Sequence, residues 1–405
     1  MERWKINLYT LWVTQVFSLM GFGLCIPFTP FFLQELGVTN STELNFYVGL
    51  SATLPAATMA VAAPIWGVVS DRYGRKVMIM RAMFCAAGLL VLMGLSQNVW
   101  QFMVLRAFQG ILTGTVTASM SFVSANTPEY RLSYALGLMT SSNFLGYSIG
   151  PFVGGLLAEI FGYRICFLIG GVLMITGFFL VVFLVHEDKD TYGCQIRSGQ
   201  EMTEGRKIQV LTPFIIVILL SLLFQRIART VFIPFIPLFV QETLGTVVGA
   251  ATYTGIINGC TGLATAVAAL TITRLGDRRD KLKLALQLTV LSVPFTILLV
   301  FFHSLLGFLV IITIFFFLAG GAEPILTSAA SERTPANMRG VLFGLLGTVS
   351  CIGAMIAPLI GSTVSVIFSL HAILIVIPLF TVSQLLCLYK SMKLGETGKR
   401  DEKND

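Results

Sequence analysis

Arg226 and Arg229 stand three residues apart inside an apolar stretch at 210–240, and Glu323 stands inside another at 305–330, in the run Gly320-Gly321-Ala322-Glu323-Pro324. A charge at the centre of a membrane helix costs about 2.5–3.5 kcal/mol on insertion scales, so charges that persist there face protein or water and tend to be functional. The two arginines lie roughly 15 to 19 residues from the start of their stretch, too deep for their stems to carry the charge to the headgroups. A spacing of three puts both on one helix face. Glu323 is the only acid deep within such a stretch. Two further cations lie in apolar runs: Arg81, close enough to a span end to act as an interfacial anchor, and Arg106. Two readings fit Arg226, Arg229 and Glu323. One is a permanent structural ion pair. The other makes Glu323 a proton-titrating group, because burial and a neighbouring guanidinium act on its proton affinity in opposite senses. Protonation would then free Arg226 or Arg229 to hold an anionic substrate group.

These residues need membrane helices to position them. Of 405 residues, 55% are hydrophobic and 12% charged, against about 25% charged in soluble proteins. The mean hydropathy is +0.84. One span needs about 20 apolar residues, and the pattern predicts twelve, near 7–34, 45–69, 77–96, 99–123, 133–160, 164–186, 210–240, 246–273, 281–302, 305–330, 338–366 and 370–391. Lys and Arg crowd one set of loops, among them Arg3, Lys5, Arg72, Arg75, Lys76, Arg131, Arg278, Arg279 and Arg339, whereas the opposite loops carry only Arg164. Cationic loops stay in the cytoplasm, so both termini are expected there. The net charge of +7 is therefore a sign of orientation and gives no support to nucleic-acid binding.

The polar segment Glu187 to Lys207 sits midway and predicts a linker at 187–209 between halves at 1–186 and 210–391, with a polar, disordered tail at 392–405. A shift of 207 residues aligns Gly114 with Gly321, Thr127-Pro128 with Thr334-Pro335, Gly137 with Gly344, Gly146 with Gly353, Pro151 with Pro358 and Gly154 with Gly361. Such a repeat of turn and packing residues predicts two parallel six-helix halves. Other chemistries find no footing. His186, His303 and His371 lie apart, so no metal cluster forms. The seven cysteines are scattered singly, without a pairing pattern. No phosphate-binding glycine loop with its lysine occurs, so ATP is not the expected energy source, and no cofactor is expected. No nucleophile–base set appears, so an enzyme is not expected.

Three motifs carry a family resemblance. The run Gly67-Val-Val-Ser-Asp71-Arg72-Tyr-Gly74-Arg75-Lys76 lies between the second and third spans; Arg106-Ala-Phe-Gln109-Gly110 lies in the fourth; and Gly146-Tyr-Ser-Ile-Gly150-Pro151-Phe-Val-Gly154-Gly155 lies in the fifth. Together they resemble the major facilitator superfamily of transporters, and within it the bacterial twelve-helix drug:proton antiporters. The first motif has a decayed echo at Asp277-Arg278-Arg279-Asp280-Lys281. The resemblance implies an all-α polytopic fold of two pseudo-symmetric halves around a central cavity. It implies alternating-access exchange of protons for amphipathic small molecules by a monomer in a bacterial inner membrane, among lipids. It makes Gly67, Asp71, Arg72, Gly74, Arg75 and Lys76 a gate, with Asp71 and Arg75 latching the halves. Gly146, Gly150, Pro151, Gly154 and Gly155 become an antiporter packing face, and Arg106 a coupling residue beside Glu323 and Arg226. Gln225, Arg226, Arg229, Phe232, Phe235, Asn143, Tyr147 and Asn258 are the candidate substrate-binding side chains. The chain departs from a common family pattern in its first span, which offers Gln15, Phe22 and Cys25 where many relatives carry an acid. Two other functions stay open: a dedicated exporter of an anionic metabolite such as a siderophore or sugar derivative, and a non-transporting receptor or scaffold.

Overall fold

Two proline-bearing breaks punctuate the helices. The computed structural model describes residues 2–187, 212–276, 278–301, 304–335 and 338–401, and among them every regular element is helical. Most of the expected linker lies outside the described residues, as do Asp277 and His303. The first span is α1 (Arg3–Gly23), a 3-10 turn at Ile26–Phe28, and α2 (Thr29–Glu35). Pro27 lacks a backbone donor and lies in the 3-10 turn at the break. The seventh span repeats the device: α9 (Pro213–Thr230), a 3-10 turn at Ile233–Phe235, and α10 (Ile236–Leu244). Between them lie α3 (Ser41–Tyr73), α4 (Arg75–Gly94), α5 (Val99–Leu112), α6 (Thr115–Asn126), α7 (Leu132–Phe161) and α8 (Tyr163–Leu184). After them come α11 (Ala250–Gly276), α12 (Lys281–Phe301), α13 (Leu305–Glu332), α14 (Arg339–Ile367) and α15 (Ile373–Asp401). The last helix thus continues to Asp401 through a tail expected to be disordered. No proline follows Pro378 to stop it.

Eleven stretches among the described residues are long and apolar enough to cross a membrane. The fourth expected span is the exception. Gly114 takes φ +119° and a left-handed conformation, which splits the span into α5 and α6. Backbone freed within a membrane must find partners, and neighbouring side chains supply them. Trp66 on α3 donates its indole N–H to the Ile111 carbonyl at 2.6 Å. Thr58 donates to the Ala107 carbonyl at 2.8 Å. Arg81 on α4 reaches the Thr113 carbonyl at 3.5 Å, with its guanidinium 3.4 Å from the centroid of the Trp66 ring. Arg81 is thus a brace for the break as well as a cation near a span end.

Packing divides the chain into two compact units: Met1–Gln200 with Ile236–Leu263, and Glu201–Phe235 with Ala264–Asp405. Consequently α10 and the first half of α11 pack with the first unit. The core of the first unit includes Leu8, Leu11, Val123, Ala135 and Val181. The core of the second includes Ile215, Ile218, Ala330, Leu342 and Leu388. Each member of the second set lies 207 residues after its counterpart in the first, so the sequence repeat is also a repeat of core packing. Large apolar side chains such as Val172, Phe183, Phe301 and Leu386 remain exposed. That is the surface a bilayer requires, because lipid solvates apolar groups and water does not.

Candidate substrate and proton site

Arg226 and Arg229 occupy the last turns of α9, just before its 3-10 break, and Glu323 lies on α13 immediately before Pro324. Arg229 Nη1 donates to Glu323 Oε2 at 2.7 Å, and its Nη2 lies 3.4 Å from Thr265 Oγ1 on α11. The Arg229 guanidinium also lies 5.3 Å from the centroid of the Phe316 ring. The pair is unequally placed: the Arg229 side chain is 13% exposed and that of Glu323 is 42% exposed. An exposed carboxylate within a spanning helix belongs beside water, since hydrocarbon would penalise it by several kcal/mol. One partner is therefore fixed by its surroundings and the other has solvent access.

Arg226 is different. Among the described residues it makes no hydrogen bond or ion pair, and its Nε is buried without a partner. Its stem runs past Gly353 on α14, where a Cβ would stand 2.8 Å from Arg226 Cγ. Gln225 is buried; its Nε2 donates to the Ala319 carbonyl at 2.6 Å while its Oε1 has no partner. Four of the expected residues, Gln225, Arg226, Arg229 and Glu323, thus belong to one cluster in the second unit. Phe232 and Phe235 are in that unit too, but both are fully buried. Phe232 packs on the Phe308 ring, and Phe235 lies against the Gly361 position of α14. They fill the helix break and present no wall.

The other expected residues lie in the first unit. Arg106 is 4% exposed and forms no ion pair among the described residues. Its Nε donates to the Ser51 carbonyl at 2.9 Å and its Nη1 to Gln109 Oε1 at 2.7 Å. Asn143 Oδ1 is buried and unpartnered, Tyr147 is exposed, and Asn258 donates to the Thr254 carbonyl one turn earlier. The α7 glycines pack on two sides. Gly146 meets Leu19 and Met20, Gly150 meets Gly23, and Gly154 meets Leu24, all on or just after α1. Gly155 faces Ala251 and Gly255 on α11, and Gly255 in turn faces the Pro151 carbonyl. The run from Gly146 to Gly155 is therefore a two-sided close-packing face, as small residues allow in membranes.

At the charged turn, Gly74 takes φ +99° between α3 and α4. Its neighbours Arg75 and Lys76 donate their backbone N–H groups to the two oxygens of Glu187, at 3.0 and 2.9 Å. A carboxylate there satisfies free donors and the positive end of the α4 dipole. Arg75 Nη1 also donates to the Ser121 carbonyl at 2.6 Å, and Lys76 Nζ to the Val182 carbonyl at 3.0 Å. Arg72 lies over the Tyr73 ring. A Cβ at Gly67 would meet nothing within 4 Å. The side chain of Asp71 is not among those described. Sequence reading missed Glu187, Trp66, Thr265 and Phe316. Glu187 was visible only as the first residue of a polar linker, and nothing local signalled the others.

A helical, many-spanning frame whose ionisable groups lie mid-span is the architecture of a polytopic membrane protein with a polar site between its helices. The sequence profile of the Major Facilitator Superfamily matches residues 11–358 and 218–403, and the chain belongs to that superfamily. It is 30% identical over 405 residues to the multidrug resistance protein MdtG of Enterobacter lignolyticus, covering 98% of this chain and 94% of that protein. It is 30% identical over 381 residues to MdtG of Escherichia coli K12, covering 92% and 91%. A bacterial homologue of the human lysosomal transporter Spinster, solved in an inward-facing and occupied conformation, shares the fold with a TM-score of 0.73 at 14% identity, over 97% of this chain and 96% of that one.

Proposed function

We propose that this chain is a proton-coupled exporter of amphipathic small molecules, exchanging substrate for protons by alternating access. It works as a monomer without a cofactor in a bacterial inner membrane, both termini cytoplasmic. The moving parts are the two six-helix halves, 1–186 and 210–391, joined by the linker at 187–209, with the 67–76 turn as the inner gate. The multidrug names of its 30% identical relatives support the substrate class, and the loop arginines and lysines support the orientation.

The observation that carries the coupling is the Arg229–Glu323 pair, 2.7 Å long, with the Glu323 side chain far less buried than its partner. Ionised Glu323 is held by Arg229; protonated Glu323 releases it. A substrate that places a cationic group against Glu323 contests the carboxylate with the proton, so one leaves as the other binds. Arg106, buried against Ser51 and Gln109, is the coupling residue that the family resemblance implies in the first half. The test is Glu323→Gln in proteoliposomes, with proton movement and substrate uptake measured together. Substrate-driven proton movement should vanish, and binding of substrates with a cationic group should weaken, because the carboxylate that receives that group is gone. Retained coupling would remove Glu323 from this role, and a wild-type protein that moves no protons with any substrate would favour a receptor or scaffold.

A further inference from the structure

The two halves of the chain use the same packing device with different residues. On α1, Leu19 lies in the notch left by Gly146 of α7. On α9, Arg226 lies in the notch left by Gly353 of α14. Leu19 and Arg226 are 207 residues apart, and so are Gly146 and Gly353. The register is confirmed one turn or two further on, where Gly154 faces Leu24 and Gly361 faces Val231 at the equivalent places. By the same register Arg229 replaces Phe22, and Glu323 replaces Val116. At the three equivalent places the first half carries only apolar side chains, Leu19, Phe22 and Val116. Packing therefore does not require the three charges of the second half, and Arg226 in particular has no partner there.

We infer that Arg226 holds the acidic group of an amphoteric substrate whose basic group is received by Glu323. This deepens, and rests on, the transport reading above. With Glu323 ionised the cluster carries two cations and one anion, so one guanidinium is in surplus. A guanidinium is a planar fork matched to carboxylate or sulfonate oxygens. The sign of the coupling then selects the substrate. A molecule with only an acidic group cancels positive charge beside Glu323 and favours proton uptake alongside it, which is co-transport. A molecule with only a basic group is opposed by Arg226. A molecule with both is held at Arg226 and still displaces the proton at Glu323, which is exchange. Residues three apart on a helix are about 5–6 Å apart at Cβ, within the span of one small molecule.

Three dansyl probes test this: Nα-dansyl-lysine, with carboxylate and ammonium; dansylcadaverine, with the same arm and ammonium alone; and dansylnorleucine, with an arm of the same length and carboxylate alone. Each is added to proteoliposomes containing a trapped pH dye. Wild type should exchange protons most strongly for Nα-dansyl-lysine. Arg226→Leu, which installs the residue the first half uses, should cut that response tenfold or more and raise the response to dansylcadaverine. Arg226→Lys, which keeps charge without the fork, should fall between. A variant R226L that keeps the Nα-dansyl-lysine response, or a wild type that prefers dansylcadaverine, overturns the inference and leaves the transport reading standing. If no probe moves protons in wild type, dansyl fluorescence reads binding directly. Binding of Nα-dansyl-lysine that R226L abolishes then upholds the site while the exchange reading fails, and binding indifferent to R226L overturns the site.

Discussion

Gln34 donates from Nε2 to Oε1 of Gln241 at 3.0 Å, and the two residues stand 207 positions apart in the chain. They are the same residue of the repeat, bonded to each other. Each closes a segment that follows a helix break: Ile26-Pro27-Phe28-Thr29-Pro30-Phe31-Phe32-Leu33-Gln34-Glu35 in one half, and Ile233-Pro234-Phe235-Ile236-Pro237-Leu238-Phe239-Val240-Gln241-Glu242 in the other. Nearby, Glu159 at the end of α7 accepts from the Gly249 backbone N–H and from Thr252 Oγ1 at the start of α11. Polar ties thus join α2 to α10 and α7 to α11 at their ends, beyond the glycine face that packs α7 on α11.

Replacing either glutamine should therefore weaken one tie. Gln34→Ala and Gln241→Ala should each lower stability by about 0.5–1.5 kcal/mol, the net worth of one neutral hydrogen bond. The double variant should lose little more than either single one, because both remove the same bond. Thermal unfolding of all four proteins in detergent checks this; simple additivity would deny the bond.

The notches at Gly146 and Gly353 make a paired prediction. A methyl at either position enters occupied space, so Gly146→Ala and Gly353→Ala should each destabilise by about 1–3 kcal/mol, the usual penalty of overpacking. Only Gly353→Ala displaces the stem of Arg226. It alone should lower Nα-dansyl-lysine exchange beyond what its change in melting temperature explains, measured in the same proteoliposomes.

The break at Gly114 depends on its braces. Trp66→Phe keeps an aromatic ring under Arg81 but removes the donor to the Ile111 carbonyl. An acceptor left unsatisfied there costs about 1–3 kcal/mol. Hydrogen–deuterium exchange across the end of α5 and the start of α6 should quicken, with α9 and α13 unchanged. An unaltered exchange rate at the break would mean the indole bond contributes nothing.

Much of this protein is legible in one dimension because a bilayer is an exacting solvent. It demands about 20 apolar residues per span and penalises each charge left inside. Runs of apolar residues therefore mark the helices, and the exceptions mark the cluster of Arg226, Arg229 and Glu323. The turn residues and small-residue spacings that carry the superfamily resemblance are local as well, since Gly74 acts through its own backbone and the α7 glycines through the surface of one helix. The fourth span was less legible: an apolar run does not announce that Gly114 breaks it.

Pairings were decided elsewhere. Nothing in the sequence says that Arg229, rather than Arg226, takes Glu323, or that Glu187 caps α4 instead of opening a linker. Those choices depend on which helices lie side by side and how each side chain leaves its axis, and the distances involved are set by residues far away in the chain. Sequence by itself determined the spans, the repeat and the charges that had to be explained. Tertiary structure decided which charge is paired, because an ion pair needs two groups within about 4 Å, and only packing brings α9, α11 and α13 that close.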